Sequence, residues 1–320
     1  MKKYIIVFAL FAVVSIACAV ETALLKYAPD SSIAVSEING ASLMKHPAVL
    51  EVLNKPEYLN SRQKWEKKSG VRLADLKKVA FFIGADGRIF TCIAVDKNLA
   101  IEKIFKQNNV KYKLVAAGGR KFYHLTGVDT VDQAELTELA PGVLLAGSQG
   151  QLAGYFKQKT GNPGALAGLV KQIPDVPVWL AFVNRIANPA GVVEDPQQLT
   201  LTFDFAGKKL RDWDFNINLF CSTAEGAQMM AGVVPMYMMM GSAFIFGSDP
   251  ELGGLISACF KPVAKDRQVG ISARINADLV ERAAEYLEQN SDRLAKKFGG
   301  KKVKSQKKKR KAAPVAPMEQ

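Results

Sequence analysis

The chain has 320 residues, of which 48% are hydrophobic and 23% charged, and a formal net charge of +13. That composition excludes a wholly disordered chain, a collagen-like chain and a small disulfide-stapled scaffold. The length suits about two domains.

The first residues read as an export signal. Met1-Lys2-Lys3 is a short positive start, residues 4–14 are an unbroken apolar run, and Ala17-Cys18-Ala19 offers a small-residue cleavage site. A signal over 1–19 and an exported protein, periplasmic or extracellular, are expected. Membrane association stays open, because 4–20 is nearly long enough to span. Lipidation at Cys18 is disfavoured by Ser15, where a large aliphatic residue is needed. Beyond Val20 the cysteines are Cys92, Cys221 and Cys259. Their apolar settings point to buried free thiols; an oxidising compartment leaves one bridge open, Cys221–Cys259.

Short helices are expected at 22–27, 40–45, 47–53 and 56–68, around a strand at 32–38. Asp86-Gly87 joins β-rich runs 79–83 and 88–95. A helix at 99–107 precedes a second hairpin, 111–116 and 121–125, across Gly118-Gly119. A strand at 143–146 and helices at 149–159 and 165–171 follow. A similar order then recurs: strand 178–183, hairpin 199–205 and 210–221, helices 223–246 and 250–259, strand 269–275 and a last helix from Asn276 to 298. In that last helix Leu279, Val280, Ala283, Leu287, Leu294 and Phe298 follow the helical period. The pattern predicts an α+β fold of two similar units, 20–172 and 173–298, each a mainly antiparallel sheet with helices packed on one face.

The hairpin 199–221 alternates cleanly. Leu199, Leu201, Phe203, Phe205, Trp213, Phe215, Ile217, Leu219 and Cys221 point one way; Thr200, Thr202, Asp204, Asp212, Asp214, Asn216 and Asn218 point the other. That acidic and amide-rich face suits a cation or a sugar as well as water, but calcium-loop spacing is absent.

Residues 24–32, LLKYAPDSS, lead into a strand and then Leu43…His46-Pro47-Ala48-Val49; Cys221-Ser222-Thr223-Ala224-Glu225-Gly226-Ala227 opens a later helix. These segments resemble exported proteins of unknown function from planctomycete-like bacteria. The resemblance covers most of the exported chain. It implies an exported α+β protein and carries over no catalytic residue.

Residues 226–247 hold no charge, and six of the nine methionines lie between Met229 and Met240. The length permits a membrane span, and the basic tail beyond it fits the positive-inside rule. Pro235 and four glycines argue instead for a buried or partner-facing helix. Met230, Val233, Met236 and Met240 are the expected apolar partner face, suited to an irregular protein surface. Thioether binding of copper has no nearby His or Cys to support it.

From Gly299 the chain carries Lys301, Lys302, Lys304, Lys307, Lys308, Lys309, Arg310 and Lys311 against Glu319, a charge of +7. Lys2 and Lys3 supply +2, which leaves the body +4. The segment 299–320 reads as a disordered, Lys-rich tail. It reads either as an arm for an anionic polymer or membrane surface or as a solvated solubility tail; no specific nucleic-acid recognition is predicted.

No metal, nucleotide or nucleophile motif is present, and no cofactor or catalytic residue is assigned. His46 and His124 read as structural. Asp212 and Asp214 lie two apart on a strand, about 6–7 Å, a spacing that fits a hydrolase pair and any alternate polar strand positions. The sequence thus favours an exported, envelope-associated binding or structural protein. A carboxylate-dependent hydrolase of an extracytoplasmic polymer and a membrane-inserted protein are the rivals.

Overall fold

A computed structural model describes residues 24–126, 134–183, 197–205, 212–290 and 293–294. The expected signal (1–19) and the Lys-rich tail (299–320) lie outside the described residues.

Among the described residues twelve strands form one antiparallel sheet. They are β1 (Ser32–Ile38), β2 (Leu76–Gly84), β3 (Ile89–Val95), β4 (Lys111–Ala117), β5 (Arg120–Thr126), β6 (Ala134–Ala140), β7 (Val143–Ser148), β8 (Val178–Val183), β9 (Gln198–Phe205), β10 (Trp213–Phe220), β11 (Lys261–Lys265) and β12 (Gln268–Ile275). Their order is β11-β12-β10-β9-β8-β1-β2-β3-β7-β6-β5-β4. Read outward from the β1–β8 pair, the halves match. Each runs through three consecutive strands, leaves through a helix, and returns from the outer edge to pair with its third strand: β7 on β3, β12 on β10. The α+β class with two similar antiparallel units is therefore present. The sheet is continuous across them, since Ala34 to Ile38 of β1 pair with Phe182 to Val178 of β8.

Two strands escape the sequence pattern. β6, AELTELA, is built from helix-forming residues; Glu135 nevertheless stays buried in the sheet because its carboxylate accepts from Gly150 N (2.8 Å) and Leu152 N (2.9 Å). β11, KPVAK, is an edge strand, where Pro and Lys are tolerated and deter further pairing. The Gly118-Gly119 hairpin forms as expected, both residues at positive φ (58° and 74°), as its two-residue loop requires.

Nine helices flank the sheet among the described residues: α1 (Gly40–Leu43), α2 (Pro47–Asn54), α3 (Pro56–Ser69), α4 (Ile101–Gln107), α5 (Gln151–Tyr155), α6 (Ala165–Val170), α7 (Ala224–Phe246), α8 (Pro250–Cys259) and α9 (Ala277–Gln289). The front face is the one bearing Leu199, Ile217 and Val269. It meets α4 through Phe105, which packs on Tyr112 and Tyr123, and α7 to α9 in the second half. On the back face α5 and α6 cover the first half, where Phe82, Phe90, Cys92 and Leu145 lie under Leu152, Tyr155, Leu166 and Val170. Phe82, wholly buried, sits opposite Phe90 across β2 and β3.

The back face of the second half is polar. Gln268 Nε2 donates to Asn218 Oδ1 (2.7 Å), and Asn218 Nδ2 donates to Thr200 Oγ1 (3.2 Å). The alternation read from 199–221 is thus realised with one apolar and one hydrogen-bonded face.

Candidate functional site

The α7 helix starts where Thr223 Oγ1 accepts from Gly226 N (2.9 Å), with Glu225 in its first turn, the charge a helix N-terminus favours. It continues through Pro235 for 23 residues. Asp249 caps α8 by accepting from Leu252 N (3.0 Å), and Ser257 Oγ donates to Ser242 Oγ (2.7 Å), which ties α8 to α7.

One side of α7 is fixed to the sheet. Ala227, Met230 and Val234 are buried against Leu219, Val269 and Ile271, and Phe246 packs beside Ile275, Leu279 and Tyr286. The other side holds Met229, Met236, Tyr237, Met239, Met240 and Phe244, all exposed; Leu255 of α8 is exposed too. Met239 is 61% and Met240 59% accessible, values ordinary for Lys and unusual for a run of large apolar side chains. By length and composition α7 is able to cross a membrane, with a mean hydropathy of 1.6 over 18 residues, of which 22% are buried.

The expected partner face is divided. Met236 and Met240 lie on the exposed side. Met230 is only 6% exposed and packs into the core, and Val233 packs against the same cluster. A helix that is apolar all round carries no phase in its sequence, so only the sheet decides which stripe is buried. Met229, Tyr237, Met239, Phe244 and Leu255 were legible as apolar but not as exposed.

Asp212 and Asp214 are engaged separately, each by its own partner. Asp214 is held in a two-point pair by Arg274 (Nε to Oδ1 and Nη2 to Oδ2, both 2.7 Å). Asp212 Oδ1 accepts from Ala277 N (3.1 Å) at the start of α9. Burial raises the Asp204 carboxyl above the usual range, and Asp214, opposite it in register, adds to the rise. These contacts give Asp212 and Asp214 a structural partner each.

His46 stacks on Phe205, ring centroids 4.2 Å apart, and His124 Nδ1 lies 3.5 Å from the Glu135 carboxylate that caps α5. The three cysteines among the described residues, Cys92, Cys221 and Cys259, are free thiols. Cys92 is buried, and burial together with the neighbouring Glu37 carboxylate pushes its thiol up to about 12, beyond nucleophilic use. Cys259 Sγ donates to the Leu255 carbonyl (3.3 Å). Among the described residues no three His, Cys, Asp or Glu side chains are grouped as a metal site. A cleft of about 340 Å³ opens between Tyr27, Arg120, Leu139, Tyr155 and Phe156; Arg120 lies over the Phe156 ring (5.9 Å) and Lys26 over Tyr27 (5.0 Å).

The chain matches no family model and no curated protein. It is similar to the chain of a solved structure titled "Structure of crystal form I of TP0453", at 9% identity and a TM-score of 0.42, over 86% of this chain and 98% of that one. A likeness at that level carries no argument about activity.

Proposed function

We propose that this is an exported, envelope-associated binding or structural protein that docks through the exposed side of α7 and α8, with its basic tail contacting a polyanion. The observation that supports this reading is the Met-, Tyr- and Phe-lined side of α7, left uncovered by the fold. Covering the exposed half of one such side chain contributes about 1 kcal/mol, so several together hold a protein at an apolar surface. Methionine suits that task because its unbranched thioether adapts to irregular partners. Export rests on the pattern of residues 1–19. Enzymatic action has no comparable support, since Asp212 and Asp214 are each engaged in structural bonds.

The test is fractionation of the full chain expressed in a bacterial host. Wild type is expected to be exported and to sediment with the envelope. Met236→Gln, Met240→Gln and Phe244→Gln together are expected to move most of it to the soluble exported fraction. Unchanged sedimentation of that variant, or retention of the wild type in the cytoplasm, sinks the proposal.

A further inference from the structure

Resting on the docking surface just proposed, the structure assigns its occupant: an anionic lipid surface, with α7 lying in the plane of the bilayer interface rather than crossing it.

The first argument is internal to the fold. The helix that leaves the third strand of the first half is α4, and its exposed positions are Glu102, Lys103, Lys106 and Gln107. The helix that leaves the third strand of the second half is α7. At the same topological place the solvent side is apolar and, beyond Glu225 in the first turn, free of charge. That is not what packing on a sheet demands, because α4 packs with a charged outer side.

The second argument is the placement of charge. Arginines bracket α7. Arg267 Nη1 donates to the Ser222 carbonyl (3.5 Å) just before the helix, and Arg293 Nη2 donates to the Ile245 carbonyl (3.4 Å) at its end. Arg293 also donates to the Tyr286 hydroxyl. Apolar residues between flanking cations are the layout of a helix held at headgroup depth, where arginines reach phosphates and Tyr sits at the boundary. Glu225 is the acid at the N-terminal end, and Asp249 and Glu251 follow the C-terminal end.

The third is the chain beyond. Leu294 is buried in line with Arg293, beside the C-terminal end of α7. The 26 residues that follow carry ten Lys or Arg and one Glu. They are long enough to reach the far end of α7, which is about 35 Å long. Apolar insertion plus a polybasic segment is the two-signal combination that anchors stably where either alone is weak. A second copy of this chain on the same face would instead add another strongly cationic tail.

Crossing the bilayer conflicts with the packing. Met230, Val234 and Phe246 would have to leave the sheet, which would strip the front face of β10 and β12.

The experiment is flotation of the exported, processed chain with vesicles of phosphatidylcholine alone and with about a third phosphatidylglycerol, across a salt series. Strong, salt-sensitive flotation is expected only with the anionic vesicles. The Met236→Gln/Met240→Gln/Phe244→Gln variant, checked for native circular dichroism, is expected to bind about tenfold or more weakly. A chain ending at Phe298 should lose the salt dependence. Tyr237→Trp should shift its emission to the blue and be quenched by lipids brominated near the headgroup. Quenching only by lipids brominated at the chain ends overturns the interfacial placement. No flotation, or flotation that ignores the α7 variant, overturns the lipid assignment. If the variant still leaves the envelope in the fractionation above while no vesicle binding is seen, docking stands and its occupant is a protein. Loss of both effects removes the docking reading itself.

Discussion

At the scale of single residues the most consequential buried charge is Glu37. It lies in the sheet, with Lys78 Nζ 2.8 Å from its Oε1. Burial raises the Glu37 carboxyl pKa, and the Lys78 ammonium pulls it part of the way back. A carboxyl whose folded-state pKa is raised favours the fold when protonated, so its contribution is lost as pH rises from the unfolded value of about 4. Lys78→Ala removes the opposing charge and leaves the carboxylate buried without it. The expected cost at pH 7 is about 3–5 kcal/mol. It should shrink as pH falls through the raised pKa toward the unfolded value of about 4, because the protonated acid has no charge to desolvate. Urea melts of the variant and wild type at pH 4 and pH 7 check this; an equal loss at both pH values contradicts it.

At the scale of elements α7 has two sides of different thermodynamic weight. Met230→Ala opens a cavity under the helix and is expected to cost about 2–5 kcal/mol. Met240→Ala removes an exposed side chain and should change stability by no more than about 0.5 kcal/mol. Denaturant titration of the two variants decides it, and comparable losses would mean that the helix packs differently. The existence of this helix was legible: an apolar run opened by Thr223 and closed before Pro250 reads as nothing else. Its phase was not, since Met230 and Met240 are the same residue type and only the Val269 and Ile271 side chains of β12 tell them apart. The strand β6 was hidden for the reverse reason. Its Glu and Leu residues prefer helices, and the tertiary bonds from Gly150 and Leu152 to Glu135 override that preference.

At the scale of the whole molecule the seam between β1 and β8 couples the two units. Val35, Trp179 and Ala181 are buried at it, and the same core cluster extends to Phe203 of the second half. Unfolding one unit therefore exposes the edge and the core of the other. A single cooperative transition is expected, seen at one midpoint by far-UV circular dichroism and by fluorescence of Trp65, Trp179 and Trp213. Two separated midpoints would show that the halves are autonomous.

The sequence by itself determined the alternation of β9 and β10, the Gly118-Gly119 turn, the charge of the segment beyond Leu294 and the apolar character of α7. These depend on residue type at local spacing, which the chain carries directly. Only the tertiary structure decided that one sheet joins both units, that Asp212 and Asp214 hold Ala277 and Arg274, and that Met236 and Met240 face outward while Met230 faces in. Those outcomes depend on which distant residue arrives alongside, and a pattern that is apolar in every direction leaves that choice to packing.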